Sequence, residues 1–297
     1  LVYEQGWLEE FFMILEENND WIKLVTLSEY LRNHRPLGRI YLPTGSYREM
    51  MEWALPTEST LTYEKIIGEM REAGKSEQYS PYMQGGFWRN FLVKYPESNN
   101  MHKKMLYVNE KVKKLEEGTA KEEAKLELWR GQNNDAYWHG VFGGLYLNHL
   151  RSAIYRHLIT AEKIVDEELH KNDTWIEVED LDFDRDGYNE ILINSELLNV
   201  YLKPAEGGTM FELDYKPRTL NLLDTLTRRP EAYHHKILRY GKKRKEQIGK
   251  AKSIHEIRRV STGFEKHLNY DWYRRVSLIE HLLSPYTTLK AFKDCIY

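Results

Sequence analysis

The stretch Asn172-Asp173-Thr174-Trp175-Ile176-Glu177-Val178-Glu179-Asp180-Leu181-Asp182-Phe183-Asp184-Arg185-Asp186-Gly187-Tyr188-Asn189-Glu190-Ile191-Leu192-Ile193-Asn194 is where the texture of the chain changes. Before it, apolar residues recur at helical spacing. Within it, Trp175, Glu177 and Glu179 alternate with Ile176 and Val178, a period of two. Short strands are predicted to continue at 190–194, 197–202 and 209–213. Asp186-Gly187, Asn194-Ser195 and Gly207-Gly208 mark the turns between them. The region 172–297 therefore reads as the start of an antiparallel β-sandwich.

Upstream, helices are predicted over 61–73, 88–94, 101–115, 122–139 and 144–169, punctuated by Pro81, Gly85, Gly86 and Pro96. Ser46-Tyr47-Arg48-Glu49 has the form of a capping box, opening a further helix that runs through Trp53 to its stop at Pro56. Residues 46–171 form a central helical domain on this reading. The first 45 residues alternate differently. A helix from Trp7 to Leu15 precedes a strand at Ile22–Val25, a capped helix at Thr26–Glu29, and a strand at Arg39–Leu42. So short a β/α alternation has no core of its own and reads as the tail of a larger α/β barrel. The fold class expected is α+β and multidomain: the end of a distorted (β/α) barrel, a helical bundle domain, then the start of an antiparallel β-sandwich.

Composition narrows the function classes. The net charge of −3 gives no global basic field for nucleic acid. The basic stretch 242–259 reads as a nucleic-acid patch or as a solvated loop or helix, and the second is the expectation. No apolar run reaches the length of a membrane span, and no signal-peptide pattern opens the chain. One cysteine, Cys295, excludes intrachain disulfides and fits a reducing, cytoplasmic setting. Aromatics are in excess, at 13% with 21 Tyr and 8 Trp. Tyrosines fill helix interfaces, but such rings also stack on the apolar faces of sugars.

Three clusters could carry chemistry. In Asn133-Asn134-Asp135-Ala136-Tyr137-Trp138-His139-Gly140, a continuous helix would put Asp135, Trp138 and His139 on one face, with Asn134 flanking and the helix ending at Gly140. That face could bind a sugar, or it could be a plain Asp–His pair with Trp138 as core filler. A second cluster holds Tyr47, Glu49, Glu52 and Trp53. Glu49 and Glu52 are neighbours on one helix rather than groups flanking a bond, which argues against an acid/base pair. The third, Asp182, Asp184, Asp186 and Glu190, offers hard oxygen ligands around a Gly turn. It reads either as an acid-decorated turn or as a structural calcium site. It is not an EF-hand, because Ile193 stands where that loop needs Glu.

The sequence Gln132-Asn133-Asn134-Asp135-Ala136-Tyr137-Trp138-His139-Gly140-Val141-Phe142-Gly143-Gly144 resembles the last conserved motif of glycoside hydrolase family 57, nearest its 4-α-glucanotransferases and α-amylases. The resemblance takes in Gly6–Phe12, Tyr41–Pro43, Tyr47–Pro56, Gly85–Phe91, Tyr95–Asn99, Met101–Lys103, Asp182–Ile193 and Lys203–Gly208. It implies a retaining enzyme acting on α-1,4-glucans such as maltooligosaccharides through a Glu nucleophile and an Asp acid/base. It requires no cofactor, no nucleic acid and no membrane. Asp135 falls on the motif's invariant Asp and Trp138 on a cleft aromatic, with His139, Asn134 and Trp53 expected to bind substrate beside them. Nothing in the chain resembles the motifs bearing the two catalytic carboxylates. The expectation is a chain truncated at both ends and inactive alone. The alternative is a non-catalytic carbohydrate-binding module. The resemblance fits a hydrolase and a transferase alike and specifies no oligomeric state.

Overall fold

The computed structural model describes residues 2–42, 45–139, 143–171, 174–240 and 267–293. The basic stretch 242–259, Gly140 and Cys295 lie outside the described residues. The chain separates into two compact units, 1–44 and 45–297.

The first unit holds α1 (Trp7–Glu17) and α2 (Leu27–Asn33). Thr26 caps α2, its side chain accepting from Glu29 N at 3.2 Å. The strands expected at Ile22–Val25 and Arg39–Leu42 do not form. A lone strand leaves its ladder donors and acceptors unpaired, and among the described residues of this unit no partner strand is present. Neither helix buries a residue, and Trp7, Phe11 and Trp21 are exposed.

The second unit begins with α3 (Arg48–Trp53), α4 (Thr57–Glu72) and α5 (Ser76–Tyr79), then α6 (Trp88–Lys94), α7 (Pro96–Lys113), α8 (Thr119–Arg130) and α9 (Asn148–His170). The residue capping α3 is Tyr47, with no side-chain cap bond, so the capping box expected at Ser46 is not made. Pro96 opens α7, where its missing N–H costs nothing. Phe91, Tyr95, Met101, Val108, Ala124, Leu128, Leu145, Leu158, Ile159 and Val165 fill one helical core. Helix α9 starts at Asn148 rather than Gly144. Gly143 and Gly144 have φ of 101° and 45°, which no right-handed helix admits, and they turn the chain into a short 3-10 segment, Gly144–Tyr146.

Five antiparallel strands follow in meander order: β1 (Ile176–Leu181), β2 (Glu190–Ser195), β3 (Leu198–Lys203), β4 (Thr209–Tyr215) and β5 (Leu220–Asn221). Short helices α10 (Ala232–Tyr240) and α11 (Leu289–Lys293) come after them. The α+β class is thus observed, as a helical region and one antiparallel sheet.

The sheet's polarity is inverted. Its buried face carries Glu190, Leu192 and Asn194 from β2, and Asn199, Tyr201 and Lys203 from β3. The opposite face shows Ile176 and Val178, both exposed, with Ile191 and Ile193 half-buried beside them. A bulge shifts the β3–β4 register after Tyr201, so Phe211 and Glu212, adjacent in sequence, are both buried. Charge fills the inner face. Lys104 Nζ of α7 lies 2.8 Å from Glu162 of α9, 3.1 Å from Glu212 and 2.9 Å from Asp214 of β4. Lys111 reaches Glu162 at 2.9 Å and Asp166 at 2.6 Å, and Lys216 reaches Asp166 at 2.6 Å. Helices and sheet are joined by this network as well as by the small apolar cluster of Phe183, Leu192, Tyr201 and Phe211.

Candidate functional site

The segment after α8 does not continue as a helix to His139, as periodicity predicts. Gly131 passes so close to α9 that a Cβ there would stand 2.5 Å from Leu158 Cδ2. Two residues on, the Asn133 side chain accepts from Asp135 N at 3.1 Å, an Asx turn that competes with helix. The result is a single 3-10 turn, Asn134–Ala136. Ser98 Oγ donates to Tyr137 O, Tyr137 Oη donates to Gly131 O at 2.5 Å, and Leu145 N donates to Trp138 O at 2.7 Å. The segment is therefore held through its backbone carbonyls, by Ser98 of α7, by Tyr137 and by Leu145 N.

Off the helix, the predicted residues part company. Asn134 and Asp135 are exposed, and Asp135 borders a cavity of about 600 Å³ with Trp129, Gln132 and His157. Trp138 and His139 turn toward α3. Trp53 stacks on His139 at 4.9 Å and lies 5.5 Å from Trp138, and Tyr47 meets Trp138 edge-on at 5.4 Å. The arrangement gathers Trp53, Trp138 and His139 into one aromatic surface, while Asn134 and Asp135 stay exposed and share no helix face with them. Glu52 is occupied by Arg48 Nε at 2.8 Å.

His139 is 5% exposed, and burial pushes its pKa down to about 4. Its ring is neutral at pH 7, a hydrogen-bonding group rather than a cation. Its partner is Tyr95 Oη, 2.8 Å from Nε2. Tyr95 in turn donates to Glu231 at 2.5 Å, and Tyr146 donates to the same carboxylate. These three residues were invisible as a group in the sequence. Tyr95 and Tyr146 stand beside recognisable motifs, but Glu231 lies far downstream in none.

The acidic turn is a separate feature. Asp182 accepts from the N–H groups of Asp186 and Gly187, and Glu190 Oε2 accepts from those of Phe183 and Asp184 at 2.9 and 3.2 Å. Asp182, Asp184 and Glu190 bring one oxygen each within 4.8 Å of one another. The buried Lys203 ammonium pairs with Asp184, with Asp186 at 2.6 Å and with Glu190 at 3.2 Å. Most of the turn's oxygens are thus spent on backbone N–H groups and on a lysine, while Asp184 Oδ1 is buried without a hydrogen bond. We expect excess chelator to shift the melting temperature by less than about 1 °C, and Lys203→Met to lower it by several degrees. A drop with chelator alone would establish a calcium site.

Among the described residues, no helix is long and apolar enough to cross a membrane. The sequence matches two family models: "Alpha-amylase/4-alpha-glucanotransferase, middle domain" over residues 86–165, and "Alpha-amylase/4-alpha-glucanotransferase, C-terminal" over 182–297. It is 46% identical to alpha-amylase 1 of Dictyoglomus thermophilum over 99% of this chain and 41% of that one. It is 40% identical to the 4-alpha-glucanotransferase of Thermococcus litoralis over 98% and 42%. The crystal structure of 4-alpha-glucanotransferase from T. litoralis superposes with a TM-score of 0.69 at 38% identity, covering all of this chain and 41% of that one. The chain spans about two fifths of the length of the curated relatives it matches.

Proposed function

Because the chain belongs to the α-amylase/4-α-glucanotransferase family, glycoside hydrolase family 57, we propose that it forms part of an α-1,4-glucan-processing enzyme and supplies a surface that binds and orients glucosyl units. The observation that carries this reading is the aromatic surface of Trp53 and Trp138 bordered by His139. An indole face takes the C–H side of a pyranose, and an imidazole beside it exchanges hydrogen bonds with hydroxyls. Held this way, a glucan is oriented for attack by carboxylates elsewhere in the parent enzyme. On the same reading residues 1–45 are the tail of the α/β barrel, 46–171 the helical domain, and the sheet of 172–297 one layer of a sandwich. A single cysteine, Cys295, supports a reducing, cytoplasmic setting on this reading.

The test is binding, not turnover. Titrating the chain with maltoheptaose should quench tryptophan fluorescence, and Trp138→Ala should weaken the affinity about tenfold or more. Trp138→Phe, which keeps an apolar ring, should lose less. A wild-type chain indifferent to maltoheptaose, or a Trp138→Ala chain that binds equally well, would overturn the proposal. The purified chain should release no sugar from maltooligosaccharide and transfer none. Reproducible turnover would place the bond-breaking groups within it.

A further inference from the structure

The hydrogen atoms around Glu231 can be placed on only one set of donors. Glu231 is 3% exposed. Burial raises its pKa, but Lys94 and the hydroxyls of Tyr146 and Tyr95 outweigh that and hold the carboxyl below its ordinary value. It is an ionised acceptor with nothing to donate. Tyr95 has one hydroxyl hydrogen, and at 2.5 Å from Glu231 Oε1 that hydrogen goes to the carboxylate. The Tyr95 oxygen can then only accept from His139 Nε2, 2.8 Å away. Tyr146 donates to the same Oε1, while Lys94 Nζ donates to Oε2 at 3.2 Å and to the backbone carbonyl of Trp53 at 3.1 Å. His139, neutral, must carry its hydrogen on Nε2. Among the described residues nothing bonds Nδ1.

We propose that Glu231 is a positioning residue: through Tyr95 it fixes His139 as the Nε2–H tautomer and so presents Nδ1 as an acceptor for a glucosyl hydroxyl. The substrate half of this rests on the glucan reading above. The same carboxylate, through Lys94, also pins the backbone of Trp53, so one buried charge sets both the ring that stacks and the ring that accepts. Neutralising it reverses the chain. In Glu231→Gln the amide can donate to Tyr95, Tyr95 can then donate to Nε2, and the imidazole hydrogen moves to Nδ1, where it blocks the acceptor.

The experiment uses the full chain labelled with 15N-histidine at pH 7, with long-range 1H–15N correlations assigning the tautomer of His139. Wild type should show Nε2–H. Glu231→Gln should populate Nδ1–H and weaken maltoheptaose binding about tenfold. Tyr95→Phe, which removes the relay but keeps the ring, should likewise release the tautomer. Nδ1–H in the wild type, or Nε2–H retained in both variants, would overturn the proposal. A changed tautomer with unchanged affinity would overturn the acceptor role. Wild type showing Nε2–H but taking up no maltoheptaose would instead defeat the glucan reading and leave the tautomer assignment supported.

Discussion

Lys104→Met should lose about 3–5 kcal/mol of stability, measured from the urea midpoint at pH 7, while Glu212→Gln at the same pH should lose almost nothing or gain about 1 kcal/mol. Both residues sit in one buried network, and the contrast follows from counting charge. The carboxylates are Glu162, Asp166, Glu212 and Asp214, and the ammoniums are Lys104, Lys111 and Lys216, four against three. Removing Lys104 strips the central cation from three buried acids. Removing charge from Glu212 removes the surplus. Glu212 is the acid whose pKa is driven well up, by burial first and by Asp214 second. Glu162 is driven down, because Lys104, Lys111 and Lys216 outweigh its burial. Glu212 lies within ion-pair distance of Lys104, yet neither of its oxygens makes a well-formed hydrogen bond as an ionised group, which a proton shared with Asp214 would mend. For a group raised on folding, the folded state holds a proton that the unfolded state releases. Its stabilisation is full below about pH 4.5, the ordinary Glu value, and is lost as pH climbs toward the folded value. Glu212→Gln should therefore flatten the stability profile on the alkaline side. A Glu212→Gln loss as large as that of Lys104→Met would mean that Glu212 is ionised.

The second large effect is at Gly144. Its φ of +45° already disfavours any side chain, and a Cβ there would lie 2.2 Å from Trp138 O, 2.7 Å from Asp135 O and 2.9 Å from His139 Cα. All three are backbone atoms and none can rotate away. Gly144→Ala should cost more than about 3 kcal/mol and abolish maltoheptaose quenching. Gly187→Ala is the informative comparison. Its φ is +95°, but nothing stands within 4 Å, so it should lose only about 1–2 kcal/mol and leave binding intact. Equal losses at the two positions would show that strain, not crowding against the motif, governs Gly144.

What the sequence made legible was whatever depends on local period. Helices α6, α7 and α9 and strands β2 to β4 lie within a few residues of their expected positions, because each has a clean repeat and a Pro, Gly or Asx boundary. The helix read through to His139 failed for a non-local reason. Gly131 is small because α9 crosses it, and that crossing is invisible in the local pattern. The two early strands failed for lack of a neighbour. Within the candidate site, the cluster of Trp138 and His139 could be seen, but its meeting with Trp53 could not, since that contact spans more than eighty residues of sequence. Glu231 left no trace at all: a single Glu followed by Ala-Tyr-His-His looks like any helix start. The inverted sheet was equally hidden. Alternation shows that β2 has two faces, yet it cannot say that the face bearing Glu190 and Asn194 is the buried one.

That inversion has a thermal consequence. Heat capacity on unfolding rises with the apolar area exposed and falls with the polar area. Separating this sheet from its helices uncovers carboxylates, ammoniums and amides, so the seam adds little to the curvature of the stability curve and is spared the weakening that cold imposes on an oil-like contact. Its desolvation cost also shrinks on warming. A junction of this kind holds its strength across a wide temperature range, gaining least from the conditions that favour ordinary cores and losing least when they are withdrawn.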